Sequence, residues 1–146
     1  GLTPVAHADV RGFAKIEKTN FTAVYRLIRS LEPLLRASEA GRAIYLTSSV
    51  ASAPKAFWGA YAATKAGAEA LMKCWADEIE STNIRASIID PGRMRTQLRA
   101  QAYPGEEPET VIHPSAIGPV MVELARGDRE PALEVKFGEW SAAQAN

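Results

Sequence analysis

Ala43-Ile44-Tyr45-Leu46-Thr47-Ser48-Ser49 is the stretch on which the fold turns. Its first five residues are β-prone and nearly unbroken in their apolar character, the pattern of a parallel strand buried on both faces. Gly41 stops the segment before it, and a loop holding Pro54 follows. A long helix is then predicted over about Ala60 to Glu80, its first half crowded with Ala60, Ala62, Ala63, Ala66, Gly67, Ala68 and Ala70. Side chains this small let another backbone come close, whether that of a sheet or of a partner subunit. Ile84 to Asp90 reads as a second strand, halted by Pro91-Gly92. Strand, long helix and strand in that order predict a parallel βαβ unit and an α/β fold.

Working outward, Phe13, Ile16, Phe21, Val24, Leu27, Ile28, Leu31 and Leu35 recur at helical spacing and predict a helix from Asp9 to about Arg36. Pro33 is placed to bend its end. Downstream, Thr96 to His113 contains Pro104, Gly105 and Pro108 and reads as a mobile loop with one helical turn. Ser115 to Ala125 is a further helix, starting near Ser115 or Pro114. Ala132 to Phe137 is a third strand, and the tail Ser141 to Asn146 is expected to fray. The expected architecture is therefore three parallel strands with flanking helices.

The bulk composition narrows the function classes. With 146 residues the chain has the length of one domain and can bury a real core. Its 17 basic and 17 acidic residues leave no net field to draw it to nucleic acid or a membrane surface. At 47% hydrophobic and 23% charged residues it has the make-up of an ordinary soluble protein. One cysteine, Cys74, allows neither an intrachain disulfide nor a cysteine metal cluster. No apolar run is long enough to span a bilayer, and Gly1-Leu2-Thr3-Pro4 does not read as a signal peptide. A cytoplasmic location is the resulting expectation, with neither nucleic acid nor membrane as partner.

Tyr61-Ala62-Ala63-Thr64-Lys65 lies at the start of the long helix. A spacing of four puts the phenol and the ammonium on neighbouring positions of one face. A phenol ordinarily loses its proton near pH ~10. At about 4 Å and an effective dielectric of about 20, a cation favours the phenolate by roughly 4 kcal/mol, or about three pH units. That would make Tyr61 a usable acid or base near neutrality. Alone, the motif is weak, since an amphipathic helix with a solvated lysine reads the same way. Asn20, alone, is a polar helix residue facing water. Arg93 and Arg95 read as solvated, with a phosphate contact as the alternative, and His7 and His113 have no metal-ligand spacing. No metal site is expected.

Asn20, Ser48, Tyr61 with Lys65, and Pro91-Gly92 with Thr96, taken in that order, resemble the classical short-chain dehydrogenase/reductase family. Trp58-Gly59-Ala60-Tyr61 resembles one bacterial subgroup of it. The resemblance implies a Rossmann-like doubly wound parallel sheet with Asn20, Ser48, Tyr61 and Lys65 as a catalytic tetrad. Tyr61 would move a proton, and Ser48 would hold the substrate oxygen. Lys65 would lower the Tyr61 pKa and bind the nicotinamide ribose. Asn20 would hold a water of a proton relay. Family members place the serine about thirteen residues before the tyrosine and about seven after the glycine that opens the strand. Ser48 meets both counts, while Ser49 misses each by one and remains the second candidate. Tyr61, Lys65, Pro91, Gly92, Met94 and Thr96 would contact the cofactor, NAD or NADP. The substrate would be a small carbonyl or alcohol compound, and the assembly a homodimer or homotetramer packed through the Asn20 and Tyr61 helices, with Ala62, Ala66 and Ala70 at the contact.

Two features of the family do not occur in this sequence: a Thr-Gly-x-x-x-Gly-x-Gly loop, and an Asn-Asn-Ala-Gly stretch before the Asn20 helix. The glycine loop receives the pyrophosphate at a helix N-terminus. Residues 1–146 are accordingly expected to be the C-terminal catalytic part of a single Rossmann domain, an incomplete sheet without its N-terminal dinucleotide-binding half. A strand would then be expected on the free side of Ala43–Thr47. The expected function is NAD(P)-dependent hydride transfer, with activity expected only together with the missing N-terminal half. The alternatives are a non-catalytic truncated fragment serving as an oligomerisation or scaffold module and, ranked last, an epimerase or dehydratase of the extended relatives.

Overall fold

The computed structural model describes residues 2–127 and 133–144. Its strands are β1 (Arg42–Leu46), β2 (Arg85–Asp90) and β3 (Glu134–Lys136). Its α-helices are α1 (Val10–Glu17), α2 (Ala23–Ala37), α3 (Gly59–Glu78), α4 (Gln97–Ala102), α5 (Gly118–Arg126) and α6 (Phe137–Gln144). The strands lie in the order β1-β2-β3 and every pairing is parallel, with Ile44 opposite Ser87 and Ile89 opposite Val135. This is the expected α/β arrangement: α3 carries the chain from β1 to β2, and α4 with α5 carries it from β2 to β3.

Successive residues of a strand face opposite sides of the sheet, and β2 shows what that does. Ile88 enters a core with Met72, Trp75, Ile79 and Ile84, against which Val24, Ile28 and Tyr45 pack. Ile89 enters a second core with Met94, Val120, Leu124, Val135, Phe137 and Trp140. Burying each such aliphatic side chain stabilises the fold by roughly 1.5–3 kcal/mol. Helices therefore cover both faces of the central strand, as a doubly wound sheet requires. The unbroken Ser87-Ile88-Ile89 run is the sequence trace of that double burial.

Several expectations need correction. The long helix expected over Asp9 to Arg36 is interrupted: Lys18–Thr22 forms a π-turn between α1 and α2. α2 nevertheless continues through Pro33 to Ala37. The third strand is shorter than Ala132 to Phe137, because Phe137 already starts α6; Ala132 lies outside the described residues. The tail does not fray over Ser141–Gln144, which belongs to α6. Trp140 anchors it: the residue is 8% exposed, and its ring stacks on Phe137 and donates from Nε1 to Glu123 Oε2 at 2.9 Å. Residues 145 and 146 lie outside the described set. The helix expected from Ser115 begins as a 3-10 turn, Pro114–Ile117, before α5.

β1 stands at one edge of the described sheet. Beside it, α2 leaves Tyr25, Leu27, Leu31 and Leu34 exposed. Among the described residues no helix is long and apolar enough to cross a membrane.

Candidate active site

The site forms where β1 and β2 end. Past Leu46 the chain stays tied to the sheet through the Thr47 N–H, which donates to the Ile89 carbonyl at 2.9 Å. The buried Thr47 hydroxyl donates to Glu69 Oε2 at 2.7 Å. Two turns follow at once, with the Ala51 N–H on the Ser48 carbonyl and the Ala53 N–H on the Ser49 carbonyl. They leave Ser48 half-buried and Ser49 exposed.

The approach to α3 is a constrained corner. Phe57 has φ +72°, a left-handed conformation that a bulky residue adopts only when its surroundings hold it there. Here the Thr3 N–H donates to the Phe57 carbonyl at 3.1 Å. Gly59 adjoins this corner: a Cβ on it would lie 2.5 Å from Cγ2 of the exposed Val5, which would have to shift. The corner delivers Trp58 against Tyr61, ring edge to ring face, with centroids 5.6 Å apart.

On α3, Tyr61 and Lys65 are one turn apart, as the spacing requires. Burial is the main influence on the Tyr61 phenol and pushes it above its ordinary value. A side-chain hydrogen bond with Ser48 pulls the other way, and the Asp90 carboxylate adds to the rise. This corrects the expectation that Lys65 lowers the Tyr61 pKa. The Lys65 ammonium instead donates to the Leu46 carbonyl at 2.7 Å. It lies 5.0 Å from the Tyr45 ring centroid and 5.9 Å from that of Tyr61. Burial brings Lys65 itself below the usual ammonium range.

Asn20 sits in the π-turn, and its Nδ2 donates to Thr64 Oγ1 at 3.2 Å. Thr64 lies between Tyr61 and Lys65, and its hydroxyl donates back to the Ala60 carbonyl at 2.8 Å. A π-turn inserts one residue into a helix and is frequent at functional sites. Here it falls on the residue that the sequence pattern singles out. Asn20 is therefore not simply a solvated helix residue. Ala62, assigned to a subunit contact, is 4% exposed within its own chain, so that part of the expected contact is already occupied.

At the end of β2, Gly92 takes φ +71° and its N–H donates to Asp90 Oδ1 at 2.9 Å. No atom lies within 4 Å of where its Cβ would be, so the backbone faces open space. Met94 bridges to Ile112, and Thr96 caps α4 by accepting the Arg99 N–H at 3.2 Å. Ser48, Ser49, Tyr61, Pro91, Gly92, Met94 and Thr96 all line one cleft of about 560 Å³. Asn20 and Lys65 lie outside that lining, connected to it through α3. Arg93 lines it as well, while Arg95 is not a free solvated side chain but pairs with Glu109 at 2.5 Å.

The cleft has a second wall that the sequence reading missed: Lys55, Trp58, Leu98, Arg99 and Tyr103. One trace of it was legible, the spacing of Arg99 and Tyr103 that puts them on one side of a short helix. Nothing in the sequence says that this helix folds back against Trp58, 6.4 Å from the Tyr103 ring by centroids.

Residues 1–107 match the family described as short chain dehydrogenase. The chain belongs to the short chain dehydrogenase family. Among curated relatives of this family it is 35% identical over 136 residues to the uncharacterized oxidoreductase YciK of Escherichia coli K12, covering 93% of this chain and 54% of that protein. A short chain dehydrogenase structure from Shigella flexneri 2a, complexed with NADP, superposes with TM-score 0.86 at 32% identity, covering 94% of this chain and 58% of that one. Another from Pseudomonas syringae is 41% identical, with TM-score 0.79, over 84% of this chain and 50% of that one. The chain spans about half the length of the short chain dehydrogenases it matches.

Proposed function

We propose that this chain carries the proton-transfer side of an NAD(P)-dependent oxidoreductase that interconverts a carbonyl and an alcohol. The observation that supports it most is that Ser48 and Tyr61 line one cleft, outside the carboxyl ends of two parallel strands, where open α/β sheets receive ligands. In the reductive direction the Tyr61 hydroxyl donates its proton to the carbonyl oxygen. Ser48 donates a hydrogen bond to that oxygen and fixes its position. In the oxidative direction the same proton returns to Tyr61. The raised Tyr61 pKa keeps the phenol protonated at neutral pH, the form that reduction needs.

The residues present suit the nicotinamide end of a dinucleotide. Gly92 offers backbone without a side chain at an open position, and Lys65 and Thr96 are donors suited to ribose hydroxyls and an amide. Tyr61, Lys65, Pro91, Gly92, Met94 and Thr96 would hold it. The cofactor supplies or accepts the hydride at the substrate carbon. The relative complexed with NADP supports a nicotinamide dinucleotide, as NAD or NADP.

Asn20, one hydrogen bond from Thr64, is proposed to order the polar link between Lys65 and solvent. A homodimer or homotetramer and a cytoplasmic location complete the reading; of the residues expected at the contact, the half-buried Ala66 and the exposed Ala70 on α3 remain available to a second copy. The test is NADPH or NADH oxidation, in the presence of a carbonyl substrate, by the protein with its dinucleotide-binding half. Tyr61→Phe removes one hydroxyl with little change in volume and is expected to abolish nearly all turnover while the protein stays folded. Undiminished turnover in the variant would overturn the assignment.

A further inference from the structure

Away from the Ser48–Tyr61 pair, the cleft has a wall assembled as one unit. Arg99 donates from Nε to Glu106 Oε2 at 2.6 Å and from Nη2 to Glu106 Oε1 at 2.5 Å, a fork-on-carboxylate pairing. Both side chains are largely withdrawn from water, at 18% and 22% exposed. The guanidinium lies 3.7 Å from the Tyr103 ring centroid. Main-chain bonds close the same loop: the Tyr103 N–H reaches the Arg99 carbonyl at 2.9 Å, and the Glu106 N–H reaches the Tyr103 carbonyl at 3.0 Å. Tyr103 in turn stands beside Trp58, and Trp58 meets the ring of Tyr61. An unbroken series of side chains therefore runs from Glu106 to the acid/base tyrosine.

That construction decides what the wall can recognise. The charge of Arg99 is taken up by Glu106, so an anionic substrate group gains little from it. Beside it stand two aromatic rings, 31° from parallel, both in the cleft lining, while the cations Lys55 and Arg93 line the cleft apart from this unit. Tyr and Trp rings have few torsions to freeze, and Tyr103 is already held by Arg99. Flat π-systems stack on such rings, whereas saturated rings of equal size gain only contact area.

We propose that Trp58 and Tyr103 select the substrate: a carbonyl or alcohol compound with a flat unsaturated ring beside the reacting carbon. The Arg99–Glu106 pair is the positioning device that holds Tyr103 in place for it. The inference rests on the hydride-transfer reading for the reacting carbon, but the recognition itself can be read without turnover.

The experiment compares benzaldehyde with cyclohexanecarbaldehyde, matched in carbon number and differing in flatness. Binding is measured by ligand-observed NMR titration and turnover by NADPH oxidation, both on the protein with its dinucleotide-binding half. Preference for benzaldehyde by roughly tenfold is expected in both. Tyr103→Leu and Trp58→Leu should each erase most of that preference, while Tyr103→Phe, which keeps the ring, should retain it. Glu106→Gln should raise KM for benzaldehyde severalfold with kcat held, a split that general destabilisation would not produce. Preferential binding of benzaldehyde without turnover of either aldehyde would support this selection and overturn the hydride-transfer reading. Equal or undetectable binding of the two aldehydes, or a preference that survives Tyr103→Leu and Trp58→Leu, would overturn the selection by these rings.

Discussion

Lys65 lies one helical turn beyond Tyr61, yet its ammonium is bonded to the Leu46 carbonyl at 2.7 Å and stands 5.9 Å from the Tyr61 ring centroid. The cation thus ties α3 to the end of β1 rather than drawing the proton from the phenol. With burial as the dominant influence, Tyr61 holds its proton beyond the ordinary phenol range.

Tyr61 should therefore titrate late. In the cofactor-free protein, the phenolate absorbance difference between wild type and Tyr61→Phe is expected to rise only above pH ~10. Stability follows the same sign. A phenol whose folded pKa is raised stabilises fully below the unfolded value and loses that contribution as pH climbs towards the folded one. A difference spectrum already developed at pH ~8 would show that Lys65 does control the phenol.

The serines should separate cleanly. Ser48 is half-buried and its side chain pulls the Tyr61 phenol down against burial, whereas Ser49 is exposed. Ser48→Ala is expected to lower kcat by about 100-fold, the usual scale for losing one donor to a reacting oxygen. Ser49→Ala should change it by less than about threefold. Steady-state rates with any accepted carbonyl substrate decide between them, and a larger loss at Ser49 would reverse the assignment.

Tyr45 offers a stability test. Its hydroxyl is buried with no hydrogen-bond partner among the described residues, and burial pushes its pKa up to about 12. Tyr45→Phe removes that unpaired group and is expected to raise stability by about 1 kcal/mol in urea unfolding. In the wild type, stability should fall as pH rises from about 10, where the unfolded phenol ionises, to about 12, where the folded one does. The variant should fall less steeply over that window. Identical alkaline profiles would mean that Tyr45 is relieved of its burial in solution.

Assembly is the remaining expectation. Light scattering is expected to give a dimer or tetramer, and a bulky substitution at the exposed Ala70 should weaken it; Ala62, already buried within the chain, should respond through stability instead. A stable monomer unaffected by Ala70→Trp would remove α3 as the contact.

Much of this molecule is local in origin and was legible as such. The β1 run, the long small-residue helix and the Ile84 to Asp90 segment predicted a parallel βαβ unit, because period and strand burial are properties of short segments. The same holds for the residues at the carboxyl ends of the strands: Ser48 and Pro91-Gly92 end adjacent parallel strands, so they converge whatever the loops do. Where the sequence reading missed, contacts between distant segments decided. The π-turn at Asn20 brings its amide to Thr64, 44 positions away. α6 persists because Trp140 finds a core and Glu123, not because its residues favour a helix. A four-residue spacing could place Lys65 beside Tyr61, but a lysine has four rotatable carbons, and the nearest strong acceptor, the Leu46 carbonyl, belongs to another element. The Trp58–Tyr103 wall likewise depends on a loop folding back onto a strained corner at Phe57. Sequence alone determined which elements form and which ends they present; the direction of each side chain at the site came from tertiary neighbours, whose positions no local pattern encodes.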